Sequence, residues 1–142
     1  MSRISLALAI ALAASPAHAQ TGERVSDCIA LDGDTMRCGD ERIRIQGLDT
    51  PEIYTVEQCR TREDTVGVLG MGYAAQGRLQ KYLNDRDIRV VRKGRDRYGR
   101  TVAQVLAGSD DVADLLIASP YSFARRYDCP NDRCPRRDPW CP

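Results

Sequence analysis

The fold is decided by the stretch RIRIQGLDTPE, which occupies residues 42–52. Its first five residues alternate polar and apolar side chains, which is typical of a β-strand with one buried face. Ile43 and Ile45 would then face a core, while Arg44 would point to the opposite side of the sheet. An acidic cluster, DTPE, follows at residues 49–52. We therefore expect a strand that presents Arg44 away from the core, with carboxyls close behind it in the chain.

Outward from this stretch, the same periodicities predict four more strands and two helices. The strands are expected at residues 24–31, 35–38, 88–91 and 101–106, and the helices around residues 71–83 and 112–116. Residues 51–68 lack periodicity, and we expect a long loop there. Five short strands and two helices make a small α+β domain, and a five-stranded barrel of the OB type is one architecture that fits.

The first 19 residues have the pattern of an export signal. Arg3 precedes an apolar run that is too short to span a bilayer, and Ala17-x-Ala19 fits a signal-peptidase site. We expect a signal peptide at residues 1–19, a folded domain at residues 20–128 and a tail at residues 129–142. The mature protein is then expected to be secreted or periplasmic, monomeric and free of the membrane.

Composition narrows the classes of function. The chain has 21 Lys and Arg residues against 20 Asp and Glu residues, a formal net charge of +1, which argues against coating nucleic acid by bulk attraction. Its one histidine, His18, lies in the predicted signal peptide. A Ser-His, Cys-His or His-ligated zinc mechanism is therefore excluded for the mature chain.

The six cysteines all follow the predicted cleavage site, which indicates disulfides. Cys28 and Cys38 flank the turn-like sequence around Gly33 at equal distance, so a hairpin would set them opposite each other. We predict a disulfide between these two. The other four are expected to fasten a loop to the tail, in pairings that the sequence leaves open: Cys59, Cys129, Cys134 and Cys141. A zinc site with four cysteine ligands is the alternative, but the tail lacks the usual CxxC pair.

Two acidic clusters flank the deciding strand, DGDT at residues 32–35 and DTPE at residues 49–52. Clustered carboxyls without histidine favour a hard cation such as calcium or magnesium. Each cluster also has a purely structural interpretation, because Asp-Gly is common in hairpins and Thr50 could cap a helix that begins at Pro51. An EF-hand is excluded, since Met36 stands where that loop has a ligand.

A third cluster is basic and crowds five cations around Tyr98 within residues 92–100. A solvated turn is one interpretation of such a run. Guanidinium groups, however, suit bidentate phosphate recognition, and a tyrosine adds a stacking face or a hydroxyl donor. Because the chain is otherwise close to neutral, this local concentration indicates a phosphate pocket.

These motifs follow the order and spacing of the staphylococcal nuclease (thermonuclease) family, which the chain resembles from about Cys28 to Tyr127. The residues that carry the resemblance are DGDT at 32–35, RIR at 42–44, GLDTPE at 47–52 and DRYGR at 96–100. The resemblance implies an OB-fold barrel that binds one calcium ion and cleaves the phosphodiester bonds of DNA and RNA.

The same resemblance implies a role for each acidic position. Asp34 and Asp49 match calcium ligands, and Thr50 would supply its backbone carbonyl to the ion. Glu52 matches the glutamate that acts as a general base on the attacking water or orients it. Without histidine, a carboxylate is a reasonable group to accept that proton.

The resemblance also assigns the basic positions. Arg44 and Arg100 match the two arginines that bind the scissile phosphate and its developing charge. Tyr98, with Arg97 beside it, would bind a substrate phosphate. The family's C-terminal helix has no counterpart in residues 129–142, for which we expect disulfides to compensate. Two alternatives stay open, a catalytically inert OB-fold module that binds nucleic acid and a structural or inhibitory module stapled by disulfides.

Overall fold

The computed structural model describes residues 22–53, 59–127 and 140–142. The predicted signal peptide, Cys129 and Cys134 lie outside these residues. The strands are β1 (Glu23–Val25), β2 (Cys28–Ala30), β3 (Thr35–Cys38), β4 (Glu41–Ile45), β5 (Leu48–Asp49), β6 (Ile88–Arg95), β7 (Thr101–Ala107), β8 (Asp110–Asp111) and β9 (Arg125–Arg126), and the helices are α1 (Arg62–Asp85) and α2 (Val112–Ala118). None of the helices in the described residues is long and apolar enough to cross a membrane.

The main sheet curls because its two edge strands, β1 and β2, are consecutive in the chain. Its strand order is β1-β6-β7-β4-β3-β2, with β8 added to β7, and the only parallel pair on this path is β4 with β7. The end strands β1 and β2 are separated by only Ser26 and Asp27. Asp27 has a φ of 53°, which breaks the strand at this point. The expected α+β fold, a curled OB-type sheet with two helices, is confirmed.

The core fills the inside of the curl. Alternate residues of β7 are buried, as the period-2 pattern of its sequence requires. One face of α1 and one face of α2 pack against the same side of the sheet and contribute to this core. The largest apolar side chains of this core that are fully buried are Met36, Ile43, Ile45, Leu48, Leu79, Val90, Val105, Val112 and Leu116.

Helix α1 begins earlier than the sequence pattern indicates. We expected a loop through residue 68, but the helix begins at Arg62. Thr61 caps it, since the Thr61 hydroxyl accepts a hydrogen bond from the Asp64 backbone N–H at 3.1 Å. Glu63 and Asp64 also place negative charge in the first turn, where the helix dipole favours it.

Two disulfides fasten the described chain. Cys28 and Cys38 are direct partners in the antiparallel register of β2 and β3, and a disulfide joins them. A second disulfide joins Cys59 to Cys141. The expected stapling of the C-terminal tail is therefore present, and Trp140 supports it by donating from Nε1 to the Phe123 carbonyl at 3.0 Å.

Candidate active site

The site is centred on an arginine that bridges two aspartates. Arg44 in β4 pairs with Thr35 in β3, which brings its side chain beside the preceding Asp34. Its Nη1 lies 2.5 Å from Asp34 Oδ1, and its Nη2 lies 3.8 Å from Asp49 Oδ1. Residues from two separate acidic motifs thus meet at one guanidinium, and all three side chains are less than one fifth exposed.

The turn that carries Asp34 depends on a glycine. A Cβ on Gly33 would lie 2.5 Å from Ala75 Cβ and 2.6 Å from Thr50 Oγ1, so any side chain here would clash with α1. The Asp32 carboxylate holds the turn by accepting from the Asp34 backbone N–H at 3.0 Å. The two acidic motifs are joined because Thr50 donates its backbone N–H to Asp34 Oδ2 at 3.1 Å.

Burial makes Asp34 an unusual carboxyl. Desolvation raises its pKa to about 6, and the nearby Asp32 adds to this shift, while Arg44 opposes it. Although Arg44 is in contact, its charge does not fully offset the loss of hydration. The centre is therefore a buried carboxyl that further positive charge would stabilise.

Glu52 lies at the exposed mouth of this centre. Loss of hydration raises its pKa, as do the charges of Asp34 and Asp49, and Arg44 and Arg100 act in the opposite direction. These influences place its carboxyl within electrostatic reach of the other predicted site residues.

Helix α1 supports the backbone of Glu52 by close packing. A Cβ on Gly72 would lie 2.9 Å from both the Glu52 and the Pro51 carbonyl oxygens and 2.6 Å from the Ile53 side chain. Glycine at this position lets the helix touch the segment that carries Glu52. The alternative in which Thr50 caps a helix is wrong, since residues 51–53 are not helical.

Arg100 reaches the same centre from the residue just before β7, the strand that pairs with β4. Its Nε donates to Asp96 Oδ2 at 2.7 Å, and its Nη1 lies 3.4 Å from Thr35 Oγ1. Thr35 in turn donates to Asp34 Oδ1 at 3.1 Å. The two predicted arginines therefore flank Asp34, one in direct contact and one through a threonine hydroxyl.

Tyr98 and Arg97 occupy an outer position on the turn between β6 and β7. Both are exposed, and Arg97 donates to the Tyr98 hydroxyl at 2.8 Å. The guanidinium carbons of Arg97 and Arg100 lie 4.8 and 5.4 Å from the Tyr98 ring centroid. The turn thus groups one aromatic face with two cations at the rim of the site.

A third arginine, Arg125, joins the site, although none of the sequence motifs includes it. Strand β9 pairs with β5, which sets Arg125 opposite Asp49, and its Nη2 and Nε lie 2.7 and 3.0 Å from Asp49 Oδ2. The Tyr127 ring lies 5.7 Å from the Arg44 guanidinium carbon. A signal was present in the adjacent Arg125, Arg126 and Tyr127, which resemble the basic run around Tyr98.

The donor set suits a hard divalent cation. It would combine the carboxylates of Asp34 and Asp49 with the backbone carbonyl of Thr50, all oxygen ligands of the kind that calcium prefers. No group of three or more acidic, histidine or cysteine side chains is arranged to hold a metal within the part of the chain described. The raised pKa of Asp34 fits such a cation, because added positive charge would relieve the cost of its burial.

Comparisons with known proteins agree with this geometry. A family model described as Staphylococcal nuclease homologue matches residues 42–136. A thermonuclease of Staphylococcus intermedius is 32% identical over 109 residues, which cover 72% of this chain and 60% of that relative. The chain thus spans about three fifths of the length of the curated relative it matches. With the family match extending over most of the described fold and across the Arg44–Glu52 motif, the chain belongs to the staphylococcal nuclease family.

Proposed function

We propose that this protein is a calcium-dependent nuclease that hydrolyses phosphodiester bonds in DNA and RNA. The observation that carries the proposal is the convergence of Arg44 and Arg100 on the buried Asp34, with Glu52 at the exposed mouth. The guanidinium groups of Arg44 and Arg100 can bind a phosphate there, and the Glu52 carboxylate can contact a water molecule beside it. Family membership and the likeness to a thermonuclease support this assignment.

Asp34, Asp49 and the Thr50 carbonyl would hold the calcium ion. When bound, the cation would supply a positive charge that orients and polarises the phosphate oxygens and nearby water. Because Arg44 contacts both aspartates in the structure, it would share them with the ion. We expect Arg44 to turn part of its guanidinium toward substrate once the carboxylates have a second cation.

Glu52 would accept a proton from the attacking water as the new oxygen–phosphorus bond forms. Arg44 and Arg100 would bind the nonbridging oxygens of the scissile phosphate and offset the charge that accumulates on them as the bond to the leaving oxygen breaks. Guanidinium groups suit this role because they donate two parallel hydrogen bonds and stay charged. Tyr98 and Arg97 would bind an adjacent phosphate at the rim.

We also propose that the protein is exported and acts as a secreted or periplasmic monomer on nucleic acid. Support comes from the two disulfides, which form and persist in oxidising compartments. The signal-like pattern at residues 1–19 adds to this.

The test is cleavage of single-stranded DNA and RNA by the oxidised protein, in calcium and in excess chelator. We expect both substrates to be cleaved in calcium and neither in chelator. A second readout is thermal stability, which calcium and a nucleoside 3′,5′-bisphosphate together should raise. Stabilisation without cleavage would favour the inert nucleic-acid-binding module. If calcium and the bisphosphate cause neither stabilisation nor cleavage, the structural module would be favoured.

A further inference from the structure

Two arginines outside the site face each other directly across the sheet. Arg37 in β3 and Arg42 in β4 are partners in the antiparallel register, and both are exposed. Like charges in directly opposite positions destabilise a strand pair. The sheet therefore carries a repulsive pair that its own packing does not explain.

Neither arginine is neutralised by a neighbour in the described residues. Arg37 and Arg42 form no hydrogen bond or ion pair there, in contrast to the paired arginines of the site. The nearest carboxylate in the strand, Glu41, is engaged elsewhere. It accepts from Arg92 Nε and Nη2 at 2.9 and 2.6 Å and from the Thr101 hydroxyl at 2.8 Å.

The pair is continuous with the candidate active site. Arg42 and Arg44 are two residues apart on β4, so they lie on the same face, roughly 6.6 Å apart along the strand. Arg42 also lines a surface depression of about 440 Å³ with Asp40, Glu41, Arg95, Gly99 and Thr101. The depression borders the turn that carries Tyr98 and Arg100. A single strand of nucleic acid, with one negative charge at each phosphate, could thus run from Arg44 past Arg42 to Arg37.

We propose that Arg37 and Arg42 form an extended subsite that binds backbone phosphates of the nucleic acid strand on one side of the scissile bond. This inference rests on the proposed nuclease function. Phosphate anions would replace the repulsion between the arginines with two sets of charge-assisted hydrogen bonds. The subsite acts on strand binding and lies outside the bond-breaking chemistry, so its effect should appear only with substrates long enough to reach it.

The test compares Arg37→Gln/Arg42→Gln with the control Arg60→Gln/Arg62→Gln, which removes the same charge at the start of α1. Binding of a fluorescent 12-nucleotide single strand is measured by anisotropy at several salt concentrations, and hydrolysis of a dinucleotide is measured separately. We expect the first variant to bind the long strand about tenfold more weakly. The plot of log binding constant against log salt concentration should become less steep, its slope decreasing in magnitude by about 1.4, because each of the two lost phosphate contacts on a single strand contributes about 0.7.

For the dinucleotide, kcat/KM of both double variants should stay within about twofold of the wild type, because this substrate cannot reach the subsite. The melting temperature of Arg37→Gln/Arg42→Gln should equal or exceed that of the wild type, since a repulsive pair is removed. An unchanged salt slope, an equal loss with the dinucleotide or a lower melting temperature would each overturn the subsite. Binding with no cleavage by the wild type would instead overturn the nuclease function, and the salt slope would still decide the subsite.

Discussion

The two disulfides close loops of very different length, and we expect them to stabilise the fold unequally. Cys28 and Cys38 are 10 residues apart, whereas Cys59 and Cys141 are 82 apart. If each bond acts by restricting the unfolded chain, loop-closure entropy gives about 2.7 kcal/mol for the short loop and about 4.5 kcal/mol for the long one at 25 °C. The longer loop contributes more because its open chain has more conformations to lose.

The assay is urea unfolding of the oxidised protein and of two paired variants, Cys28→Ala/Cys38→Ala and Cys59→Ala/Cys141→Ala. The free energy of unfolding should fall in both, and by about 2 kcal/mol more in the second. The pairs serve as controls for each other, since each removes one bond and two sulfurs. Equal losses, or a larger loss in the hairpin pair, would show that local packing around the sulfurs, and not the length of the closed loop, governs the effect.

Two further predictions concern packing and pH. In thermal unfolding, Gly72→Ala should destabilise the fold by about 1–2 kcal/mol, because the added methyl group would clash with the Glu52 carbonyl, and it should also lower nuclease activity. The control is Gly77→Ala in the same helix, where the added methyl group contacts nothing. This variant should stabilise the fold by about 0.5–1 kcal/mol, because alanine favours a helix more than glycine does. Hydrogen bonds from Arg92, against some desolvation, lower the pKa of Glu41 from 4.5 to about 2. The stabilisation from the ionised Glu41 carboxylate is therefore complete well above its unfolded-state pKa and is lost as pH falls through about 2. Glu41→Gln should thus cost about 1 kcal/mol at neutral pH and only a minor part of that at pH 2, and an equal cost at both pH values would show that the charge of Glu41 does not stabilise the fold.

Much of the sheet could be predicted because one face of each strand is buried. The alternation around Ile43 and Ile45 is a direct consequence of that burial, as both side chains are almost fully enclosed. The opposition of Cys28 and Cys38 also followed from the spacing around one turn. Long strands show an alternating pattern in the sequence, and short hairpins show turn residues between two such patterns. Their positions can therefore be predicted from local sequence, without knowledge of distant contacts.

The parts that were missed depend on short or distant interactions. Strands β5 and β9 have two residues each, too few for any periodicity, and Arg125 meets Asp49 across 76 positions of the chain. The start of α1 was missed because its first turns include Gly67 and Gly70, and glycine disfavours a helix. The capping residue Thr61 does not predict a helix by itself, because a threonine indicates a helix start only where helical periodicity follows it.

The proposed role of Glu52 as the base of a calcium-dependent nuclease is tested by single-turnover cleavage of single-stranded DNA. The wild type, Glu52→Gln and the control Glu63→Gln would be compared at saturating calcium, since Glu63 is an exposed glutamate in the first turn of α1. We predict that Glu52→Gln cleaves at least about 100-fold more slowly while it binds the strand as tightly, and that Glu63→Gln matches the wild type. Cleavage by Glu52→Gln at the wild-type rate would show that Glu52 is not the base.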